Sequence, residues 1–281
     1  MIYDCFNFYN EIDILELRLN ILYPHVDRFV IVESSVTHSG HEKPFFFEKF
    51  QERFSKFEDK IINFKVHDTP DDFVNLPVTD EIALQEVFCY IKSQTNRFDK
   101  KNQPDYGRDF FQKESVRRVL VNCNDEDVII FSDADEIPNP HTLKTLDLSK
   151  GMYRLNQDTY YYYLNVLKQR DWCGSRVALY RDIKNLSLNE LRGDDRLTTE
   201  VKDGGWHFSF MGGEMMVKNK LLTYSARDLV NRAVIDNVSN NMNLNIDPFF
   251  RSKLETVEID STFPEYLADN VEYYRSKGMI K

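Results

Sequence analysis

The fold of this chain is decided by residues 129–138, whose sequence is IIFSDADEIP. The apolar, β-branched run at its start is typical of a buried strand, and Pro138 prevents that strand from continuing. Three carboxylates, Asp133, Asp135 and Glu136, follow within four residues. In an open α/β sheet the loops at the carboxyl ends of the strands form the ligand crevice. We therefore predict that these acids lie at a binding edge of a sheet.

The two aspartates have the spacing and chemistry of a metal site. Asp133 and Asp135 are two residues apart, and carboxylate oxygens are the ligands that Mg²⁺ and Mn²⁺ prefer when phosphate oxygens complete the coordination. The alternative is a solvated acidic turn after a buried strand, because acidic residues are common in turns. The ordered pattern on both sides of the acids favours the metal site.

Composition limits the classes of protein that fit. The chain has 281 residues, 42% of them hydrophobic and 14% aromatic, which is enough for one large core or a core with a C-terminal appendage. Its formal net charge of −10 argues against nucleic acid or an anionic membrane as the main partner. The four cysteines form no Cys-x-x-Cys pair, so we expect buried free thiols in a reducing compartment.

No segment predicts insertion into a membrane. None approaches the roughly 20 consecutive apolar residues that span a bilayer. The first residues also lack the basic start and the apolar core of a signal peptide. We therefore expect a soluble, cytoplasmic protein without a transmembrane segment.

Strand and helix patterns alternate through the first half of the chain. Apolar periodicity predicts strands at 2–6, 28–33, 61–66 and 129–133 and helices at 12–22, 81–95 and 109–121. This β-α-β order predicts an α/β fold with a mostly parallel central sheet and helices on both faces. Shorter strands at 151–155, 160–164 and 175–180 are expected to add antiparallel pairing at the sheet edge. Residues 70–77 and 99–107 are expected to be loops, and the chain from 213 onward to be mainly helical.

Four motifs occur in a fixed order within residues 2–225. They are FxFxNEIDILExRL from Phe6, VESxxTHSG from Val32 with a Lys-Pro pair after it, SDADEIP from Ser132, and GWHFSF from Gly205. Together they resemble glycosyltransferase family 17, a family of N-acetylglucosaminyltransferases. The four ordered motifs are far more specific than the Asp-x-Asp pair alone.

The resemblance implies both a fold and a reaction. It implies a GT-A type nucleotide-sugar transferase fold, with a catalytic core at 1–225 and a mainly helical C-terminal extension at 226–281 packed on it. The implied reaction is a metal-dependent, inverting transfer of a sugar, N-acetylglucosamine, from a UDP-sugar donor to a glycan acceptor hydroxyl. Mn²⁺ or Mg²⁺ is the implied cofactor. Because no membrane anchor of the kind found in animal members is evident, we expect a microbial or viral glycan as acceptor.

Three residues are predicted to surround the metal. Asp135 is the principal ligand, and Asp133 is either a second ligand or a partner of the ribose hydroxyls. The resemblance places His207 as the residue that completes the metal sphere, although a histidine among aromatic residues is often only packed in a core. Glu136 is expected to hold the metal ligands in position without binding the metal itself.

The donor is expected to contact the loop after the second strand. Glu33, Ser34 and Thr37 are candidates for the base and ribose, and His38 or Lys43 for phosphate or acceptor. One residue of the Arg117 and Arg118 pair is expected to meet phosphate. The two cannot both face the donor, because successive helical residues point about 100° apart.

An inverting transfer needs a carboxylate that accepts the proton of the acceptor hydroxyl. Glu214 is favoured by its position after the His207 motif, although an acid in the first turn of a helix also suits the helix dipole. The other candidates are Asp171, Asp194, Asp195 and Glu200.

Two other functions remain open at this point. A metal-dependent phosphohydrolase could use the two aspartates, but the aspartyl-phosphate type has Thr or Val two residues after the second Asp, where this chain has Ile137. A catalytically inactive carbohydrate-binding module on the same scaffold is harder to dismiss, because acidic residues alone do not prove turnover.

Overall fold

The computed structural model describes residues 1–94, 98–226 and 229–281. Within this part of the chain, one mixed sheet contains β1 (Ile2–Asn7), β2 (Arg28–Ser34), β3 (Ile61–Val66), β4 (Val128–Asp133), β5 (Glu136–Pro138), β6 (Met152–Tyr161), β7 (Val166–Leu179), β8 (Thr198–Ser209) and β9 (Glu255–Thr256). The strand order is β3-β2-β1-β4-β7-β6-β8-β5, and β9 pairs with β7.

The first half of the sheet is parallel, as predicted. Strands β3, β2, β1 and β4 are parallel neighbours, and Cys5 of β1 lies opposite Val30 on one side and Phe131 on the other. Strand β7 then joins β4 in antiparallel orientation, β6 pairs antiparallel with β7, and β8 runs parallel to β6. The carboxyl ends of β1, β2 and β4 therefore meet at one edge.

The helices in the described part of the chain are mostly short. Their bounds are α1 (Ile12–Leu22), α2 (Phe46–Lys49), α3 (Ile82–Ser93), α4 (Pro104–Glu114), α5 (Arg117–Leu120), α6 (Pro140–Leu143), α7 (Tyr180–Ile183), α8 (Leu188–Gly193), α9 (Gly213–Thr223), α10 (Arg232–Asp236), α11 (Val238–Leu244), α12 (Glu265–Asp269) and α13 (Val271–Ser276). None of these described helices is both long and apolar enough to cross a membrane.

Both faces of the sheet are covered, which confirms the predicted layering. Successive strand residues point to opposite faces, and Ile130 belongs to one apolar cluster while Ile129 and Phe131 belong to the other. Helices α1, α12 and α13 pack on the Ile130 face, and α3, α4 and α8 pack on the opposite face.

Some predicted elements have different bounds in the structure. The helix expected at 109–121 begins earlier, at Pro104, and is interrupted after Glu114, so part of the loop expected at 99–107 is helical. Proline is favoured in the first turn of a helix because N–H groups at that position have no acceptor within the helix, so proline, which has no N–H, loses no hydrogen bond there. In place of the three short strands expected after residue 150, the structure has two long strands, β6 and β7. The helix expected at 81–95 is α3, which ends at Ser93, and the expected last residue, 95, lies outside the described residues.

The C-terminal segment returns to the sheet. The Asn165 side chain, in the connection between β6 and β7, donates to the carbonyl of Lys281 at 3.0 Å, and the backbone N–H of Leu164 donates to Met279 at 2.8 Å. The segment after residue 229 contains the short helices α10 to α13 and strand β9, joined by longer stretches without regular structure. The division of the chain at residue 225 stays a prediction.

Candidate active site

A cleft of about 350 Å³ opens at the carboxyl ends of the parallel strands. Its walls come from elements that are distant in sequence, namely the ends of β1 and β4, the loop after β2, and helices α4 and α9. Asp133, Asp135 and Glu136 all line this cleft. The acids therefore lie at the sheet edge where their position after a buried strand predicted them.

Asp135 lies between two basic side chains. Its Oδ2 accepts a hydrogen bond from Lys220 Nζ at 2.6 Å, and its Oδ1 is 3.5 Å from His207 Nε2. The carboxylate is almost fully buried, and burial alone would raise its pKa. The neighbouring charges of Lys220 and His207 outweigh burial and hold the pKa of Asp135 far below its ordinary value. Asp135 is therefore an anion at neutral pH.

Asp133 and Glu136 share one guanidinium. Arg192 donates to both carboxylate oxygens of Glu136, at 2.5 and 2.6 Å, and to Asp133 Oδ2 at 3.1 Å. Lys113 Nζ lies 3.8 Å from the other oxygen of Asp133. Burial alone would raise the pKa of Asp133, but the charges of Lys113 and Arg192 outweigh burial, so this pKa lies below its ordinary value. Three basic residues, Lys113, Arg192 and Lys220, thus lie beside the three acids, and Lys113 also pairs with Asp109 at 2.8 Å.

A buried arginine holds the backbone of the acidic loop. Arg18 is fully buried and forms an ion pair with Asp4, with 2.6 Å between Nη2 and Oδ1. Its Nη1 donates to the carbonyls of Asp133 at 2.9 Å and Glu136 at 2.8 Å. Arg18 belongs to the first of the four ordered motifs, but no contact with the acidic turn was predicted for it. The polar atoms of the turn are satisfied internally by this side chain.

His207 is held against the cleft by an aromatic ring. It lies on β8 directly opposite Glu136 of β5, and its ring stacks on Trp172 with 4.2 Å between centroids. Its Nε2 faces Asp135, whereas its buried Nδ1 has no hydrogen-bond partner among the described residues. His207 therefore packs and also presents a nitrogen to the acid.

The predicted metal ligands are brought together only in part. Asp135 Oδ1 and His207 Nε2, 3.5 Å apart, are close enough to bind one ion, but Asp133 is turned toward Arg192. Within the described ranges, no three His, Cys, Asp or Glu side chains form a cluster that could hold an ion. A site with few protein ligands suits Mg²⁺ or Mn²⁺, which commonly take further ligands from substrate phosphates and water. The residues present fit a cation that binds together with a phosphate ligand.

Three of the predicted donor contacts line the cleft. These are Thr37, His38 and Lys43, from the loop after β2. His38 Nε2 lies 3.2 Å from Gln112 Oε1, and Lys43 Nζ lies 5.2 Å from the centre of the Tyr9 ring. This loop faces α4 across the cleft, as the sheet-edge argument requires.

Glu33 and Ser34 are not brought to the cleft, which corrects their assignment as donor contacts. Glu33 is fully buried and accepts hydrogen bonds from the backbone N–H groups of Phe46 at 2.6 Å and Phe47 at 3.1 Å. It thereby satisfies the free N–H groups at the start of α2. Ser34 Oγ is paired with Thr69 Oγ1 at 3.0 Å. Both side chains organise the loop instead of facing the ligand space.

The adjacent arginines also lie elsewhere. Arg117 donates to Glu114 and to the carbonyls of Ile183 and Lys184. The guanidinium of Arg118 lies on the surface and pairs with Glu81 and Asp68. Neither arginine lines the cleft. The expected phosphate contact from this pair is therefore corrected, and the cationic positions belong to Lys113, Arg192 and Lys220.

Glu214 faces away from the cleft. It pairs with Lys218 at 2.6 Å on the exposed side of α9, whereas Lys220 of the same helix lines the cleft. Six residues along a helix correspond to a rotation of about 240°, so the two side chains cannot share a face. The hydrogen bond from Lys218 lowers the pKa of Glu214. The preference for Glu214 as proton acceptor is thus corrected by helix geometry.

The other predicted proton acceptors also lie outside the cleft. Asp194 pairs with Arg196, Asp195 with Arg176, and Glu200 with Arg154. Asp171 lines a separate groove that also contains Asp158 and Trp206. Within the described part of the chain, the carboxylates that line the cleft, besides the three acids of the β4–β5 turn, are Glu11 and Asp109.

Sequence reasoning missed several residues of the cleft, four of which lie outside the fixed positions of the motifs. Lys113, Arg192 and Lys220 surround the acids, and Asn7 lies opposite Asp133 in the register of β1 and β4, with both side-chain polar atoms buried and lacking a partner in the described chain. No motif marks them. Asn7 could have been found because it ends the strand next to the acidic one.

Comparisons with known proteins show similarity to the family that the four sequence motifs resemble. A family model described as glycosyltransferase family 17 matches residues 1–86 and 79–245. Proteins named β-1,4-mannosyl-glycoprotein 4-β-N-acetylglucosaminyltransferase from Rattus norvegicus and Homo sapiens are each 31% identical to the chain over 145 residues, and the Mus musculus protein is 30% identical.

The aligned part is 52% of this chain but only 23% of each relative, so the chain spans a small fraction of their length. The family match itself covers most of the chain. The mixed sheet with helices on both faces is consistent with a glycosyltransferase fold. The chain therefore belongs to glycosyltransferase family 17.

Proposed function

We propose that this chain is an inverting glycosyltransferase of GT-A type that moves N-acetylglucosamine from a UDP-sugar to a glycan hydroxyl. The observation that carries the proposal is the charge arrangement in the cleft, where Lys113, Arg192 and Lys220 surround the acids of the β4–β5 turn. Family membership and the names of the relatives support the sugar and the reaction type.

The cleft has the two kinds of surface that a nucleotide sugar needs. Thr37, His38 and Lys43 offer polar contacts at one end. Tyr161 and Trp172 offer flat apolar faces at the other, which suit a sugar ring. The nucleotide is thus proposed to lie toward β1 and β2, and the sugar toward β6 and β7.

Mn²⁺ or Mg²⁺ belongs to this proposal, held by Asp135 and His207. When bound, such a cation neutralises the charge that develops on the leaving diphosphate. Arg192 keeps the acidic turn in place through Glu136, and Arg18 holds the same turn from inside the core. These contacts pre-organise the turn before the donor arrives.

The acceptor hydroxyl must lose a proton as it attacks the anomeric carbon. Among the carboxylates that line the cleft, Glu11 is the one without a salt bridge in the described part of the chain. Its Oε2 accepts the backbone N–H groups of Tyr9 at 3.3 Å and Asn10 at 3.1 Å. We assign proton acceptance to Glu11, since ion-paired carboxylates are weaker bases.

The proposal is tested with the purified chain, Mn²⁺, a panel of UDP-sugars and glycan acceptors. We expect UDP to be released only when an acceptor is present, and the product to carry the opposite anomeric configuration by NMR. Release of inorganic phosphate would instead indicate a phosphohydrolase. Glycan binding that ignores both metal and nucleotide, without turnover, would indicate a binding module.

Asp135→Asn is expected to lower turnover by at least about 100-fold, the effect of removing a main transition-state charge stabiliser. Asp236→Asn is the matched control, because Asp236 is an exposed residue paired with Arg232 on α10. Near-normal turnover by Asp135→Asn, with the fold intact by circular dichroism, would remove the acid from the mechanism.

A further inference from the structure

We infer that Lys220 neutralises Asp135 before the donor binds, and that its ammonium moves from Asp135 to contact the donor diphosphate when cation and donor bind. This inference rests on the proposed function. It makes Lys220 a catalytic residue that changes partner during the reaction.

Lys220 is placed to make both contacts. It lies in the last turn of α9, with Nζ 2.6 Å from Asp135 Oδ2 and 3.2 Å from Ser209 Oγ. The ammonium also lies 5.5 Å from the centre of the Phe210 ring, and the side chain lines the cleft while 24% exposed. A lysine carries its charge on a flexible stem, so the ammonium can move without moving the helix.

Arg192 is held differently and cannot exchange in this way. Its guanidinium is bound to both oxygens of Glu136 and also to Asp133. Glu136 is 1% exposed, so releasing the guanidinium would leave a buried charge without a partner. Lys220 holds Asp135 through a single hydrogen bond, so it is easier to release than Arg192.

Charge balance predicts the order of events. Asp135 is already paired with the Lys220 ammonium, so a divalent cation alone would place further positive charge beside that ammonium. The diphosphate supplies the missing negative charge. Cation and nucleotide should therefore bind together, and the displaced ammonium should contact the phosphate oxygens of the leaving group.

The test measures Mn²⁺ binding to the donor-free protein, by electron paramagnetic resonance of free Mn²⁺, in the wild type and in Lys220→Met. We expect Lys220→Met to bind Mn²⁺ at least about tenfold more tightly, because one charged hydrogen bond no longer competes for Asp135. In the same variant turnover should fall at least about 100-fold, since the leaving group loses a cation. Tighter metal binding with slower transfer is not expected of a merely structural lysine.

Lys218→Met is the control, because Lys218 pairs with Glu214 outside the cleft on the same helix. It should change neither quantity. Unchanged or weaker Mn²⁺ binding by Lys220→Met would overturn the inference. If Lys220→Met does not fold, Lys220→Gln replaces it in the same two measurements. Because the Mn²⁺ measurement needs no donor, failure of the wild type to transfer sugar would refute the proposed function separately.

Discussion

At the scale of single residues, Arg18 shows how a buried charge can hold a site in place through the backbone of the residues that form it. Its guanidinium is bonded to both oxygens of Asp4 and to carbonyls of the acidic turn. The turn between β4 and β5 therefore depends on a side chain from α1. Because the guanidinium is fully buried, every lost partner leaves a charge that water cannot reach.

Arg18→Met should reduce the free energy of unfolding by about 3–5 kcal/mol, the usual cost of removing one partner of a buried ion pair. Denaturant unfolding followed by circular dichroism measures this. The double variant Asp4→Leu/Arg18→Met should be less destabilised than the single variant, since no unpaired carboxylate remains. A single variant within about 1 kcal/mol of the wild type would contradict the role given to Arg18.

At the scale of secondary structure, the cleft is assembled from helices that bring cations to strand-borne acids. Lys113 comes from α4, Arg192 from α8 and Lys220 from α9. The buried Glu114 ties two of these helices together, because it ends α4 and accepts hydrogen bonds from the backbone N–H groups at the start of α8. The charge pattern is thus a property of helix packing.

Helix rotation turns Glu214 away from the cleft, whereas Glu11, just before α1, lines it. Glu11→Gln should lower kcat by at least about 100-fold, within the range that general-base catalysis contributes, with the KM for the donor little changed. Glu214→Gln should leave kcat and KM near wild type, because Glu214 is exposed on the outer side of α9. Steady-state kinetics with saturating acceptor tests both variants. Loss of activity in Glu214→Gln but not in Glu11→Gln would reverse the assignment.

At the scale of the whole molecule, the protein is acidic, yet basic side chains line its cleft beside the acids. The chain has a formal net charge of −10, which repels a nucleotide diphosphate at long range. The basic residues beside the acids counter that repulsion locally. Donor affinity should for this reason depend on the cleft residues and not on the overall charge.

The paired acids should leave a signature in the pH dependence of stability. The pKa of Asp135 is lowered in the folded protein, so its stabilising contribution is complete above the unfolded value of about 3.9 and is lost as pH falls toward the folded value. The pKa of Lys220 is raised, despite burial, by Asp135, so its contribution is complete below about 10.4 and is lost at higher pH.

The free energy of unfolding of the wild type should therefore fall more steeply between about pH 5 and pH 3 than that of the Asp135→Asn/Lys220→Met variant. The unfolded wild type takes up a proton at residue 135 that the folded protein does not. Urea unfolding across this range measures the two slopes. Parallel slopes would show that the pair is not coupled to folding.

The sequence by itself determined the features that depend on local pattern. Apolar runs predicted the parallel strands and α1. The abrupt change from apolar to acidic residues within IIFSDADEIP predicted that the acids lie at the end of a strand. Four ordered motifs identified the family, which the family match confirmed. These features are readable because hydrophobic periodicity and the carboxyl ends of strands are properties of a few neighbouring residues.

Only the tertiary structure decided which side chains meet those acids. Lys220 and Asp135 are 85 residues apart, and Arg192 and Asp133 are 59 apart, with no motif that links them. From position in the sequence, Glu33 after the second strand and Glu214 after the His207 motif were predicted as site residues instead. Glu33 is turned inward because the N–H groups at the start of α2 need an acceptor, and Glu214 is turned outward by the rotation of its helix. Hydrogen-bond satisfaction and helix packing are long-range constraints, so they appear only when the chain is folded.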